Sequence, residues 1–241
     1  MEVHHHAHTA RKKWTNYFWE FLMLFLAVFC GFMAENIREH RIEQHRANQF
    51  ARSLLNDLKE DTVALNIAIG YGNKKISAID SLFLQIEQTA DKWNDTLIYT
   101  YQGFAGRVRP FRHNSGTYEQ LKASGSLRYF KHDLADLLNQ YDVQARKTAA
   151  REEIHVNYAS NLLNPFVLRL MDIRAVIQIQ DGKIPTHPLT FHKTDQETLS
   201  LWINYASVSQ STQERTVVEY SIMLEKAKQI MEALQKEYHL K

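Results

Sequence analysis

The sequence predicts an all-α protein: one N-terminal transmembrane helix that continues into an elongated antiparallel helical bundle with long coiled-coil-like helices. An unbroken apolar run extends from Phe21 to Ala34. Two long stretches carry apolar residues at alternating spacings of four and three, which is typical of helices that pack along a shared seam. Only 4 prolines and 8 glycines occur in 241 residues, and most of them fall in 103–125 and 182–188.

The first element is the predicted membrane helix, Trp14 to Ala34. At ~1.5 Å per residue it would be roughly 31 Å long, which is enough to cross the hydrocarbon core of a bilayer. Trp14, Tyr17 and Trp19 suit the headgroup layer, where aromatic rings with a polar edge are favoured. Cleavage by signal peptidase is not expected, because residues 32–34 supply only one of the two small residues that a cleavage site needs. We interpret the segment as an uncleaved signal-anchor.

Three domains follow from this interpretation: a His-rich and basic cytoplasmic tail at 1–13, the membrane helix at 14–34, and an extracytoplasmic bundle at 35–241. Arg11, Lys12 and Lys13 precede the helix, whereas arginines interleaved with glutamates follow it. The numbers of Lys and Arg residues on the two sides of the membrane helix are nearly equal. We favour the N-terminus inside because short basic tails resist crossing, while long domains cross largely regardless of charge.

Three residues of the membrane helix are candidate helix contacts. Glu20 lies inside the apolar segment, where a carboxylate either reaches the interface or is protonated, or else bonds to a neighbouring helix or serves an ion path. Ala27 and Gly31 are small residues four positions apart, a spacing that permits close approach of a second helix in lipid. We therefore expect contacts through Glu20, Ala27 and Gly31.

The first seam predicts one long helix. It consists of Ala51, Leu55, Leu58, Thr62, Leu65, Ile69, Gly72, Ile76, Ile79, Phe83, Ile86 and Ala90. Gly70 and Gly72 each cost about 1 kcal/mol relative to alanine in a helix. The apolar phase is the same on both sides of them, which favours a continuous helix. A hinge at Gly70 is the alternative.

The second seam, Leu199 to Tyr238, predicts the other long helix and carries two amides, Gln210 and Gln213. These amides either fix the register of packing or line a wet pocket. A third helix is expected from His132 to Asn164, before Pro165. A fourth is expected over residues 166–179.

The remaining stretches are a predicted irregular segment at about 92–131 and a loop at about 181–194. Within the first, residues 96–101 are β-branched and aromatic, which favours a short strand. Residues 117–123 predict a short helix, which Gly125 would end in a left-handed cap.

A basic cluster with interleaved aromatic residues lies in the segment 104–131. Its candidate ligand-binding residues are Arg107, Arg109, Arg112 and Arg128. Guanidinium groups bind carboxylates and phosphates through paired hydrogen bonds, so an anionic ligand would suit them. The alternative is that these arginines pair with helix carboxylates and face solvent.

No enzyme signature is evident. The sequence lacks a phosphate-cradling glycine loop, a Gly-x-Ser-x-Gly elbow and a His-Glu-x-x-His motif. The lone cysteine, Cys30, lies in the membrane segment. The histidines of the tail, within 4–8, are interpreted as solvated rather than as a metal site. A net charge of +2 gives no indication of nucleic-acid binding. No enzyme activity, cofactor or metal is expected.

Four stretches resemble a known group of sequences: residues 1–6, 18–28, 31–36 and 118–125, the last reading Tyr-Glu-Gln-Leu-Lys-Ala-Ser-Gly. The head of the chain resembles a large family of uncharacterised single-span membrane proteins of Bacteroidota, a domain of unknown function. The resemblance implies the inner membrane of a Gram-negative cell. It supplies no catalytic residues.

Two functions are compatible with these observations. The first is a non-enzymatic inner-membrane scaffold or accessory subunit, with a large periplasmic domain and either a second copy or another membrane protein as partner. The second is a periplasmic sensor or binding module that takes an anionic ligand through the basic aromatic segment 104–131.

Overall fold

The computed structural model describes residues 14–240, and these fall into two compact units, 14–49 and 50–240. Both units are helical. The helices are α1 (Trp14–Ile86), α2 (Asp95–Ala105), α3 (Gly116–Ala123), α4 (His132–Tyr158), α5 (Asn164–Leu170), α6 (Ile173–Gln180) and α7 (Gln196–Tyr238). Within residues 14–240 the only β-type pairing is an isolated antiparallel bridge between Met171 and Phe191. The predicted all-α class is confirmed.

The first unit, where described, is the N-terminal part of α1. It holds an 18-residue window with a mean hydropathy of 1.9, and none of that window is buried. By length and composition, α1 is the one described helix able to cross a membrane. A core helix of a soluble protein would have an apolar face covered by other elements, and this window has none.

The second unit is built on three long helices. Lys75 of α1 lies beside His155 of α4, and Asp61 lies beside Tyr141. Both pairs are 80 residues apart in sequence, so α1 and α4 run in the same direction. Helix α7 runs antiparallel to both of its partners. Its residues 226, 219 and 209 meet residues 140, 151 and 155 of α4 in that order.

Helix α1 lies close against α7 at Gly72. A Cβ atom at Gly72 would overlap Val217 and would lie 2.9 Å from the Nε2 atom of Gln213. Eight residues further along α1, Asp80 accepts a hydrogen bond of 2.5 Å from Gln210. Glycine at position 72 therefore allows the two backbones to approach, and α1 continues through it without a hinge.

Two separate apolar cores hold the second unit together. The first joins α1, α3, α4 and α7, and its members include Leu58, Leu65, Leu121, Leu134, Tyr220, Met223 and Ile230. The second joins α1, α2, α5, α6 and α7, and includes Ile79, Leu82, Ile98, Tyr99, Leu170, Val176 and Trp202. Along α1 the first core ends at Leu65 and the second begins at Ile79.

The expected strand at 96–101 is wrong, because this stretch lies within α2. The side chain of Asn94 accepts a hydrogen bond from the backbone N–H of Leu97 and caps the helix. Ile98, Gln102 and Ala105 are buried at helical spacing. The β-branched composition favoured a strand, but packing of one helical face against the second core outweighs that preference.

The expected stop before Pro165 is also wrong. Helix α4 passes through a π-helical turn, Ala159–Leu163, directly into α5. Pro165, which has no N–H to donate, stands directly after this π-helical turn, where the α-helical hydrogen-bond ladder is already interrupted. The break comes instead at Asp172, whose side chain caps α6 by accepting from the backbone N–H of Arg174 at 2.9 Å. The single helix expected over 166–179 is therefore two helices.

The short helix α3 is confirmed, and so is its glycine stop. Gly125 follows the helix with a φ of 66°, in the left-handed region that only glycine adopts without steric cost. The predicted loop at 181–194 contains no helix. The segment predicted to be irregular contains α2 and α3, with an extended connection between them at residues 106–115, which we call the strap.

Candidate functional site

A layer of buried polar side chains separates the two apolar cores. We call it the polar belt. Its members come from the middle of the three long helices and are almost inaccessible to solvent: Lys75, Thr148, Glu152, His155, Ser209, Gln213, Thr216 and Glu219. Buried polar groups destabilise a fold unless they are hydrogen-bonded, so each of them is expected to have a partner.

Lys75 is the centre of the belt. Its Nζ atom donates a 2.9 Å hydrogen bond to the backbone carbonyl of Arg107 and lies 3.3 Å from Nε2 of His155. Nε2 of His155 is also 3.3 Å from the hydroxyl of Ser209, which donates to the carbonyl of Ala105 at 2.9 Å. This chain of contacts joins α1, α4 and α7 to the end of α2 and the start of the strap.

Burial lowers the pKa values of Lys75 and His155. Lys75 is fully buried, and desolvation of its ammonium lowers its pKa to about 7. Burial, reinforced by the nearby charge of Lys75, lowers the pKa of His155 to about 3. His155 is consequently neutral at pH 7, and Lys75 titrates near neutrality.

The strap is fastened to the bundle by three buried polar side chains. Lys75 binds the carbonyl of Arg107 at its start. The carboxylate of Glu152 accepts from the backbone N–H of Phe111 at 2.9 Å, in the middle. Asp61 accepts from the backbone N–H of Asn114 at 2.8 Å, near the end. The strap has no helix or strand of its own, so these side chains supply partners for its backbone groups.

The two acids of this arrangement each have a tyrosine partner. Asp61 accepts a 2.6 Å hydrogen bond from the hydroxyl of Tyr141, and Glu152 accepts a short one from the hydroxyl of Tyr220. Burial raises the pKa of Asp61 and of Glu152, while the hydrogen bonds from these tyrosines oppose the shift. Burial likewise raises the pKa values of Tyr141 and Tyr220.

A cavity of about 530 Å³ lies between the strap and α4. Its lining combines apolar, acidic and basic groups: Pro110, Phe111, Arg112, His113, Ala145, Thr148, Ala149, Glu152, Glu153 and Val156. The volume is within the range of about 300–1,000 Å³ found for small-molecule sites. A second cavity of about 390 Å³ lies near Arg107, Asn164 and Gln180.

The four arginines predicted to bind a ligand have different neighbours. Arg107 donates to the side-chain carbonyl of Gln180 at 2.9 Å and lines the second cavity. The guanidinium of Arg109 lies 4.8 Å from the ring centre of Tyr71. That of Arg128 lies 5.2 Å from the ring centre of its neighbour in sequence, residue 129. Arg112 lines the larger cavity. Their joint role in binding an anion stays a prediction.

The predicted membrane contacts are all exposed on α1. Glu20, Ala27 and Gly31 face outward in the first unit. A side chain at Gly31 would meet nothing within 4 Å in this chain. The predicted tail histidines lie outside the described residues. Within residues 14–240, no group of three or more His, Cys, Asp or Glu side chains is arranged to hold a metal ion.

Sequence reasoning missed Lys75, Glu152 and His155. The signal for Lys75 was present, since it stands three residues after Gly72 and four before Ile79, both on the predicted seam. A helix that packs on two neighbours buries three positions per heptad rather than two. The third row of α1 is Leu54, Asp61, Ala68, Lys75 and Leu82. A polar residue in such a row predicts a buried polar contact.

Comparisons with protein-family models, with curated proteins and with solved structures return no match to this chain. The fold and the site therefore identify the general class of the protein, which is a helical-bundle protein with one candidate membrane-spanning helix among its described residues. The resemblance of its first residues to single-span proteins of Bacteroidota stays an expectation.

Proposed function

We propose that this protein is a non-enzymatic, single-pass inner-membrane protein whose helical bundle acts in the periplasm as a scaffold or accessory subunit of a membrane complex. One observation carries the proposal. None of the apolar window of α1 is buried, while residues 50–240 have two apolar cores of their own. An exposed apolar surface of this kind needs a lipid or protein environment.

The partner is a second copy of the chain or another membrane protein, and contact occurs through the membrane helix. Ala27 and Gly31 offer the small surface that helix association in lipid requires. Because a side chain at Gly31 would touch nothing in its own chain, Gly31→Leu leaves the protomer intact. Any effect of this substitution therefore reports an intermolecular contact.

Photocrosslinking in native membranes tests this proposal. A photoreactive amino acid at position 28 is expected to give a crosslinked product in the wild-type background and much less of it with Gly31→Leu. Met33→Leu is the matched control, because it adds no bulk and position 33 lies on another side of the helix. A chain that remains monomeric and crosslinks to no protein would refute the scaffold.

A second candidate function is a periplasmic binding module for an anionic ligand through the segment 104–131. The observation that favours it is Arg112 at the wall of the 530 Å³ cavity. A small dicarboxylate such as succinate is expected to raise the melting temperature of the full chain in detergent. The effect should decrease in Arg112→Ala, which removes a lining residue of the cavity, and persist in Arg109→Ala, because the guanidinium of Arg109 packs on Tyr71. An equal shift in wild type and in Arg112→Ala would refute this candidate.

A further inference from the structure

The cavity between the strap and α4 has walls of opposite charge. On the strap side, Arg112 is solvent-exposed and presents a guanidinium, which binds a carboxylate through two parallel hydrogen bonds. His113 stands next to it and packs edge-on against Tyr141, with ring centres 6.3 Å apart. This wall suits a negatively charged group.

The α4 side of the same cavity is acidic. Glu152 is only 4% exposed and lines the cavity. Its two hydrogen bonds, from the N–H of Phe111 and the hydroxyl of Tyr220, both end on Oε1. Neither bond uses Oε2. Glu153, the next residue, is exposed and lines the cavity as well. This wall suits a positively charged donor group.

The remaining surface is apolar. Phe111 contributes a ring from the strap, and α4 contributes Ala145, Ala149 and Val156. The alanines leave room where longer side chains would fill the space. An apolar substituent placed here would lose water from its own surface and from the wall, which favours binding.

We propose that this cavity binds a small zwitterion, an α-amino acid or dipeptide with an apolar side chain. Its carboxylate pairs with Arg112, its ammonium pairs with Oε2 of Glu152 and with Glu153, and its side chain lies on Phe111. The ammonium gains a contact with the acidic wall that a simple anion such as succinate lacks, so the zwitterion binds more tightly. This inference rests on the second candidate function, because the carboxylate of the zwitterion is the anionic group that this binding module takes.

Titration calorimetry of the full chain in mild detergent tests the inference. The probes are L-leucine, L-phenylalanine and L-leucyl-L-leucine, each compared with its N-acetyl derivative and its methyl ester. At least one free zwitterion is expected to bind in the millimolar range or tighter. Loss of either charged end should weaken binding by about tenfold or more, because one charge-assisted hydrogen-bonded pair is removed.

Two arginines of the strap provide a matched pair of variants. Arg112→Gln is expected to weaken binding by about tenfold or more, whereas Arg109→Gln should leave it unchanged, since Arg109 packs on Tyr71. Glu153→Gln should weaken binding of the zwitterion and leave the melting temperature unaltered, because Glu153 is exposed. These variants separate recognition of the ligand from stability of the bundle.

Three results would overturn the inference. One is the absence of heat for every free zwitterion. Another is equal binding of leucine and its methyl ester. The third is binding of N-acetyl-leucine as tightly as leucine, which would support the anion-binding module while removing the zwitterion. Each outcome is independent of crosslinking through Gly31, so failure here leaves the scaffold proposal standing.

Discussion

Replacement of Lys75 by methionine is expected to remove a pH dependence of stability between pH 7 and pH 9. The pKa of Lys75 is 10.5 in a model peptide and about 7 in the folded chain, because its ammonium is buried. Below pH 7 both the folded and the unfolded states hold the proton, so Lys75 gives no slope. Above pH 7 only the unfolded state holds it, and the free energy of unfolding rises with pH.

The magnitude follows from the proton difference. One proton held by the unfolded state alone gives about 1.4 kcal/mol per pH unit. Because the folded chain is already half-deprotonated at pH 7, the free energy of unfolding increases by about 2 kcal/mol from pH 7 to pH 9. Lys75→Met has no such proton and should lack this rise. It also leaves the carbonyl of Arg107 without its donor, which costs about 1–3 kcal/mol at every pH.

The assay is urea unfolding of the full chain in detergent at pH 7, 8 and 9, followed by the fluorescence of tryptophan. Trp202 is fully buried in the second core and reports its loss. Lys74→Met is the matched control, because Lys74 is the adjacent lysine of α1 and is exposed. Wild type and Lys74→Met should show the same slope. An equal slope in Lys75→Met would refute the buried ammonium.

Three further substitutions test the packing of the bundle. Gly72→Ala should destabilise the fold by about 1–3 kcal/mol, because the added Cβ overlaps α7. Gly70→Ala should stabilise it by about 0.5–1 kcal/mol, because a Cβ there meets nothing within 4 Å. Equal melting temperatures for the two variants would contradict the close approach of α1 and α7 at Gly72. Gly125→Ala places a Cβ at a φ of 66° and should cost about 1 kcal/mol in urea unfolding, and no cost would contradict the left-handed cap. Tyr141→Phe removes the hydroxyl that donates a 2.6 Å hydrogen bond to Asp61 and should lower the free energy of unfolding by about 1–3 kcal/mol. When Tyr141→Phe is combined with Asp61→Asn, the two losses of stability should not add. Additive losses would contradict a direct hydrogen bond between the two side chains.

The sequence predicted the long helices because their apolar residues repeat with a helical period. The seam positions of α1 hold their phase across Gly70 and Gly72, and the helix is continuous there. The repeating apolar positions do not show which helix packs antiparallel against which face of α1. Gly72 marks that partner, since only a residue without a side chain allows Val217 to approach so closely.

The polar belt was harder to predict because its hydrogen bonds join distant parts of the chain. Lys75 has its acceptor at Arg107, 32 residues away, and its imidazole neighbour at His155, 80 residues away. A lysine within a helix is normally a surface residue. Only the fold of the strap shows that this one is buried and hydrogen-bonded.

Composition identifies the basic segment 104–131, but it does not show where each side chain points. Its arginines are close in sequence, yet Arg109 covers Tyr71 while Arg112 lines a cavity with Glu152. The strap between α2 and α3 has no regular period, so alternation of side chains could not be inferred. The acidic wall comes from α4, and a glutamate within a helix is normally a surface residue.

The central claim is that the apolar part of α1 spans a membrane while the bundle folds outside the cytoplasm. Cys30, the lone cysteine of the chain, reports it directly. In intact spheroplasts an impermeant maleimide should leave Cys30 unlabelled until detergent is added, and should label the exposed position of Ser77→Cys in a Cys30→Ser background. Labelling of Cys30 without detergent, or protection of position 77, would contradict the claim.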